Sequence, residues 1–232
     1  MIDCGIIYVA VGNKHISECN NSIQSARIYM KDISITVFSD NPSLINGANQ
    51  TILISPDKNR YLNKIPPMHE SPYENTLFVD TDTIFTDRIY DTFLLLDQFD
   101  MMFCHAPMRK TGYSISVPDS FVEINTGVIF YKNNITVKNF IQSWLDLYNL
   151  AIRTYGSTIY YNDQTSFREC LFNHKELRYY ILPSEFNLRI IFPFFIGGNS
   201  RVRIVHGREP HLSQFLEICK QPHKSINVYK YE

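Results

Sequence analysis

The first eighty residues carry short, β-prone apolar runs parted by turn residues, and this constrains the fold more than any other feature. Residues 5–11 (GIIYVAV) are almost continuously apolar. A strand with one face in water alternates apolar and polar side chains, whereas a parallel strand covered on both faces does not. Residues 35–38, 51–54 and 76–79 read as three more strands. Between the first two, 17–30 predicts a helix, with Ser17 as its N-cap and Ile23, Ala26, Ile28 and Met30 contributing to its apolar face. Residues 59–65 predict a second helix that stops at Pro66-Pro67, because the residue before a proline is disfavoured in the α region. The order β-α-β-β-α-β predicts an α/β fold whose strand ends face one ligand cleft.

The second half is less regular. Helices are predicted over 88–96, 137–155 and 163–171, extended segments over 99–105, 127–131, 178–182 and 202–205, and a polar loop, a candidate lid, over 111–121. With 232 residues, 44% hydrophobic and 14% aromatic, the chain can bury one large core, so 1–232 is read as a single domain. A net charge of -1 excludes an extended nucleic-acid footprint, which needs a basic excess. The five cysteines are scattered and lack C-x-x-C spacing, which argues against a zinc site and for a reducing compartment. No export signal is evident, so the sequons at Asn20, Asn49 and Asn134 read as incidental. No segment approaches the roughly 20 apolar residues of a membrane span. A cytoplasmic protein is expected.

The chemistry concentrates at Leu77-Phe78-Val79-Asp80-Thr81-Asp82. In an extended chain, residues two apart share a face, so Asp80 and Asp82 converge while Thr81 faces away. Two converging carboxylates at the end of a buried strand are costly unless something positive lies between them. A hard divalent cation carrying a substrate phosphate meets that need; the alternative is a pair of acids capping the next turn or helix. Four further groups have two readings each. Asn125-Thr126-Gly127 precedes an apolar run and reads as a turn or as site residues. Asp163 opens a helix, as an N-cap or, with Gln164, beside a reacting centre. His206-Gly207 ends a strand, as a structural histidine or as a third metal ligand. Arg60 and Lys64, four apart, form a solvated basic face or a diphosphate clamp.

In this order, and together with Ser22, Ser25, Phe38-Ser39-Asp40 and Ser71-Pro72-Tyr73, these elements resemble the nucleotide-diphospho-sugar transferases of the GT-A fold, especially the glycogenin-like (family 8) enzymes. The resemblance spans nearly the whole chain. It implies a central mixed sheet flanked by helices in a Rossmann-like domain, with 1–87 as the nucleotide-binding half and 88–232 as the acceptor-side half. It implies Mn²⁺ or Mg²⁺ held by Asp80, Asp82 and His206. The donor, a UDP-sugar by preference, is expected to contact Val9, Val11, Asp40, Arg60, Lys64, Asp80 and Thr81. Asp163, Gln164 and Asn125 are expected at the reacting sugar, with a glycan or protein acceptor and, by preference, retention of configuration. The late motif His206-Gly207-Arg208-Glu209-Pro210 departs from the family's fuller His-x-x-Gly-x-x-Lys, which leaves His105 and His211 as substitute ligands. Two rival readings are a Mg²⁺-dependent phosphatase of the haloacid-dehalogenase type and a module that binds sugar nucleotides or glycans without transfer, with the aromatic run 191–195 as a platform.

Overall fold

In the computed structural model, which describes residues 3–106, 117–155, 163–190, 194–196, 200–209, 211–213, 216 and 226–228, the early apolar runs become the parallel part of a seven-stranded sheet. β1 (Cys4–Ala10), β2 (Ser34–Ser39), β3 (Gln50–Leu53) and β4 (Asn75–Val79) lie side by side in the order β3-β2-β1-β4. Beyond β4 the sheet becomes mixed. β7 (Ile124–Lys132) runs antiparallel to β4, β6 (Met101–His105) antiparallel to β7, and β8 (Tyr179–Ile181) parallel to β6.

Both faces of the sheet are covered, which explains the continuous apolar runs. Ile6, Tyr8 and Ala10 of β1 pack in one cluster with Ile16, Cys19, Ile23 and Ala26 of helix α1 (Asn13–Tyr29). Ile7, on the other face, joins Phe140 and Trp144 of α4 (Ile135–Tyr155) and Phe167 of α5 (Asp163–Asn173). The Trp144 indole meets the Phe167 ring edge-on at 4.9 Å between centroids, and its Nε1–H donates to Asp163 O at 3.0 Å.

Several local expectations are corrected. α1 begins at Asn13 rather than Ser17; Gly12, at φ 82°, turns the chain into the helix, and no side chain caps it. Pro66-Pro67 begins a helix instead of ending one. Both prolines occupy the first turn of α2 (Ile65–His69), where a missing N–H costs nothing. The helix expected over 88–96 is a single turn, α3 (Tyr90–Phe93), continued as a 3₁₀ turn. Asn125-Thr126-Gly127 is not a turn but part of β7. Residues 111–116 of the candidate lid lie outside the described residues, as do 191–193 of the aromatic run.

A second, three-stranded sheet builds the site. β5 (Thr83–Phe85) leaves the acid pair and pairs antiparallel with β11 (Ile204–His206), which also pairs in parallel with β9 (Leu188–Arg189). Helix α1 braces β5: Ser25 Oγ accepts the Phe85 N–H at 2.9 Å, and Ser22 Oγ bridges Tyr8 Oη and Thr83 Oγ1, each at 3.0 Å. A short pair, β10 (Phe194–Ile196) with β12 (Ile226–Val228), lies later in the chain.

Candidate functional site

The acid pair lies in the turn between β4 and β5, not in an extended strand. Thr83 Oγ1–H closes that turn on Asp80 O at 2.8 Å, and the Asp80 N–H is held by Gly127 O at 2.8 Å. The turn still brings the carboxylates together, and the β5–β11 register sets His206 opposite Thr83. One ligand atom each from Asp80, Asp82 and His206 lies within 4.8 Å of the others. His206 Nε2 stands 3.4 Å from Asp82 Oδ1 and 3.8 Å from Asp80 Oδ2.

Two carboxylates and one imidazole suit Mn²⁺ or Mg²⁺. The space is kept open by Gly127: a Cβ there would overlap His206 Cε1 and lie 2.6 Å from Asp80 Oδ2. The residues therefore fit a hard divalent cation. Among the described residues no other group of three metal-ligating side chains forms, so His105 and His211 stand outside it.

The charges around this triad are unevenly compensated. Burial raises the Asp80 carboxyl above its ordinary value, with Lys64 and His206 opposing and Asp82 and Asp163 adding to the rise. Burial acts in the same direction on Asp82. There the His206 hydrogen bond and the His206 and Arg208 charges prevail and hold the carboxyl well below the usual range. Arg208 Nη1 pairs with Asp82 Oδ2 at 3.0 Å, while its Nε donates to Glu18 Oε1 of α1 at 2.7 Å.

Lys64 leads from the triad to a second cluster. Its ammonium, nearly buried, lies 2.6 Å from Asp163 Oδ2 and 3.8 Å from Asp80 Oδ1, and donates to Thr126 Oγ1 at 3.0 Å. Burial pulls the Lys64 pKa down, but Asp163 and Asp80 together raise it. Thr126 Oγ1–H donates in turn to Asp163 Oδ2. Gln164 Oε1 accepts from Asn125 Nδ2 at 2.7 Å.

These groups line one cavity of about 420 Å³. Of the residues read from the sequence, Val9, Val11, Arg60, Lys64, Asp80 and Thr81 border it, as do Asp82, Asn125, Asp163, Gln164 and His206. Asp40 does not: its carboxylate accepts the Gly12 N–H at 3.0 and 3.2 Å and so braces the loop before α1. Arg60 and Lys64 do not share a helical face either. Arg60 sits in a turn, its guanidinium 4.8 Å over the Tyr61 ring, while Lys64 ends the following 3₁₀ turn and points inward. Thr81 is tied to Glu18 Oε2 at 3.0 Å and lies 3.3 Å from His15 Nδ1.

Sequence reading missed Glu18, Asn187 and Arg189, and it named Arg208 only as a departure from a motif. Glu18 is a lone acid on α1 with no motif around it, and Asn187 and Arg189 fall where no pattern marks them. Arg189 borders the cavity, where burial lowers its pKa against the pull of Asp80 and Asp82.

The seven-stranded mixed sheet flanked by helices, with the acid-pair turn after β4, is the GT-A glycosyltransferase fold. The chain is similar to galactosyltransferase LgtC, solved in complex with donor and acceptor sugar analogs, at 16% identity and TM-score 0.64 over 94% of each chain. No protein-family model and no curated protein sequence matches the chain.

Proposed function

We propose that this chain is a metal-dependent glycosyltransferase that moves a sugar from a nucleotide-diphosphate donor, by preference a UDP-sugar, to a hydroxyl of a glycan or protein acceptor. One observation carries the reading. Asp80, Asp82 and His206 converge beside a cavity that is also lined by Lys64, Arg189 and Arg208. Acids and cations interleaved in this way suit a divalent cation bridging protein and diphosphate.

In this reading 1–232 acts as one transferase domain, with the donor held by the half 1–87 and the acceptor side built by 88–232. Asp80, Asp82 and His206 would hold Mn²⁺ or Mg²⁺, which supplies charge neutralisation for a departing diphosphate. Lys64 and Arg208 add fixed positive charge at the place where the leaving group gains negative charge. Val9, Val11, Arg60 and Thr81 border the volume left for base, ribose and diphosphate. Asn125, Asp163 and Gln164 face the sugar. The Lys64 ion pair and the Thr126 hydrogen bond on Asp163 Oδ2 favour an electrostatic role for Asp163 over a general base, and so favour retention. Free thiols at Cys4, Cys19, Cys104 and Cys170 support a cytoplasmic location. None of the described helices is long and apolar enough to cross a membrane.

The test is calorimetric titration with a panel of nucleotide sugars, with Mn²⁺ or with EDTA. Binding of one donor that requires Mn²⁺ and is lost in Asp82→Ala is expected. Failure of every donor to bind, with hydrolysis of a generic phosphate ester, would overturn the proposal in favour of the phosphatase. Metal-dependent donor binding without turnover in the presence of any acceptor would favour the binding module.

A further inference from the structure

We propose that Asn187 is a positioning residue: a one-way chain of side-chain amides running to Glu123 makes it keep a proton on His206 Nδ1, so that Nε2 faces the acid pair. The use of that nitrogen as a metal ligand rests on the reading above; the direction of the chain does not.

The direction is set by a backbone donor and matched at the far end. The backbone N–H of Gly127 can only donate, and it reaches Asn125 Oδ1 at 3.1 Å. The same oxygen accepts from Asn187 Nδ2 at 2.7 Å. Asn187 must therefore turn its own oxygen the other way, and that oxygen lies 2.9 Å from His206 Nδ1. An acceptor at that distance requires a proton on Nδ1. On the far side, Asn125 Nδ2 donates to Gln164 Oε1 at 2.7 Å, and Gln164 Nε2 donates to Glu123 Oε1 at 3.3 Å. A carboxylate oxygen accepts, so this end agrees with the direction that the Gly127 N–H sets.

Reversing Asn125 would set like groups against each other at both of its ends, and reversing Asn187 would set two oxygens together at Asn125. Asn125, Asn187 and His206 are all buried, so water cannot relieve such a mismatch there; Gln164 is half-buried at the cavity wall. A histidine ring fixed through one nitrogen presents the other in a set direction, as metal-ligating histidines require. The chain also joins the metal end of the cavity, at His206, to its sugar end, at Gln164.

The test is ¹⁵N NMR of histidine-labelled protein, metal-free and with Mg²⁺, together with Mn²⁺ titration; the readout is the proton on Nδ1, because without metal Asp82 Oδ1, 3.4 Å from Nε2, can hold a second proton on the ring. The parent should show Nδ1–H. Asn187→Ala should shift the ring towards Nε2–H and weaken Mn²⁺ binding by about 10–100-fold. Asn187→Asp keeps an acceptor at Nδ1–H and should keep the proton there, at a cost in melting temperature because its second oxygen meets Asn125 Oδ1. Neutral Nε2–H in the parent would overturn the proposal without recourse to any variant. So would Asn187→Ala with an unchanged tautomer. Nδ1–H in a protein that binds no Mn²⁺ would uphold the positioning role and remove the metal-dependent reading.

Discussion

Lys64→Met isolates the charge that holds the centre of the site together. Methionine keeps most of the lysine stem, so the substitution removes mainly the ammonium group. That group lies 2.6 Å from Asp163 Oδ2, with side-chain exposures of 12% for Lys64 and 4% for Asp163. Removing one partner of a buried ion pair costs about 3–5 kcal/mol, because the other charge stays in the interior. Thr126 Oγ1–H still donates to Asp163, which places the loss near 3 kcal/mol, towards the lower end of that range. For a chain of this size, 1 kcal/mol moves the melting temperature by about 2–4 °C, so a fall of roughly 6–12 °C is expected. The assay is thermal melting of the metal-free protein by circular dichroism at neutral pH. Asp163→Asn in the Lys64→Met background removes the stranded charge and should recover more than half of the loss. A Lys64→Met melt within about 2 °C of the parent, or a second substitution that only deepens the loss, would refute the reasoning.

Two further outcomes follow from the same geometry. Gly127→Ala forces a methyl group between His206 and Asp80; overpacking of this kind costs about 1–3 kcal/mol, and Mn²⁺ affinity by calorimetry should fall by more than about tenfold, so unchanged affinity would remove the cradle argument. Asp80→Asn should raise the melting temperature of the metal-free protein at pH 7 and abolish the stabilisation by Mn²⁺. Burial lifts the Asp80 carboxyl above its unfolded value, so the folded chain binds that proton more tightly. Stability is therefore lost as pH rises from the ordinary value of 3.8 through the folded value, and the variant lacks that loss. A lower melting temperature at pH 7 would contradict it.

Much of the cavity wall was legible because it depends on local pattern. Asp80 and Asp82 stand out as charges at the end of an apolar run, and the GT-A resemblance ordered Lys64, Asn125, Asp163, Gln164 and His206 around them. The convergence survived although its local cause was different: a turn closed by Thr83, not strand alternation, brings the carboxylates together. The shared face of Arg60 and Lys64 was misjudged because spacing along a chain predicts one only inside a regular helix, and these two residues fall in a turn and a 3₁₀ turn.

By itself the sequence determined the parallel strands, the two-sided burial of the sheet and the acid pair, because apolar periodicity acts over a few residues and each strand or turn carries its own signal. Only the tertiary structure decided what faces that pair. His206 arrives through the β5–β11 register, Lys64 through its burial against Asp163, and Arg208 through Glu18 of α1. Asn187 enters through the hydrogen bonds it makes on both sides. Such long-range partners depend on how distant segments pack, and no short-range pattern of residues encodes that distance or direction.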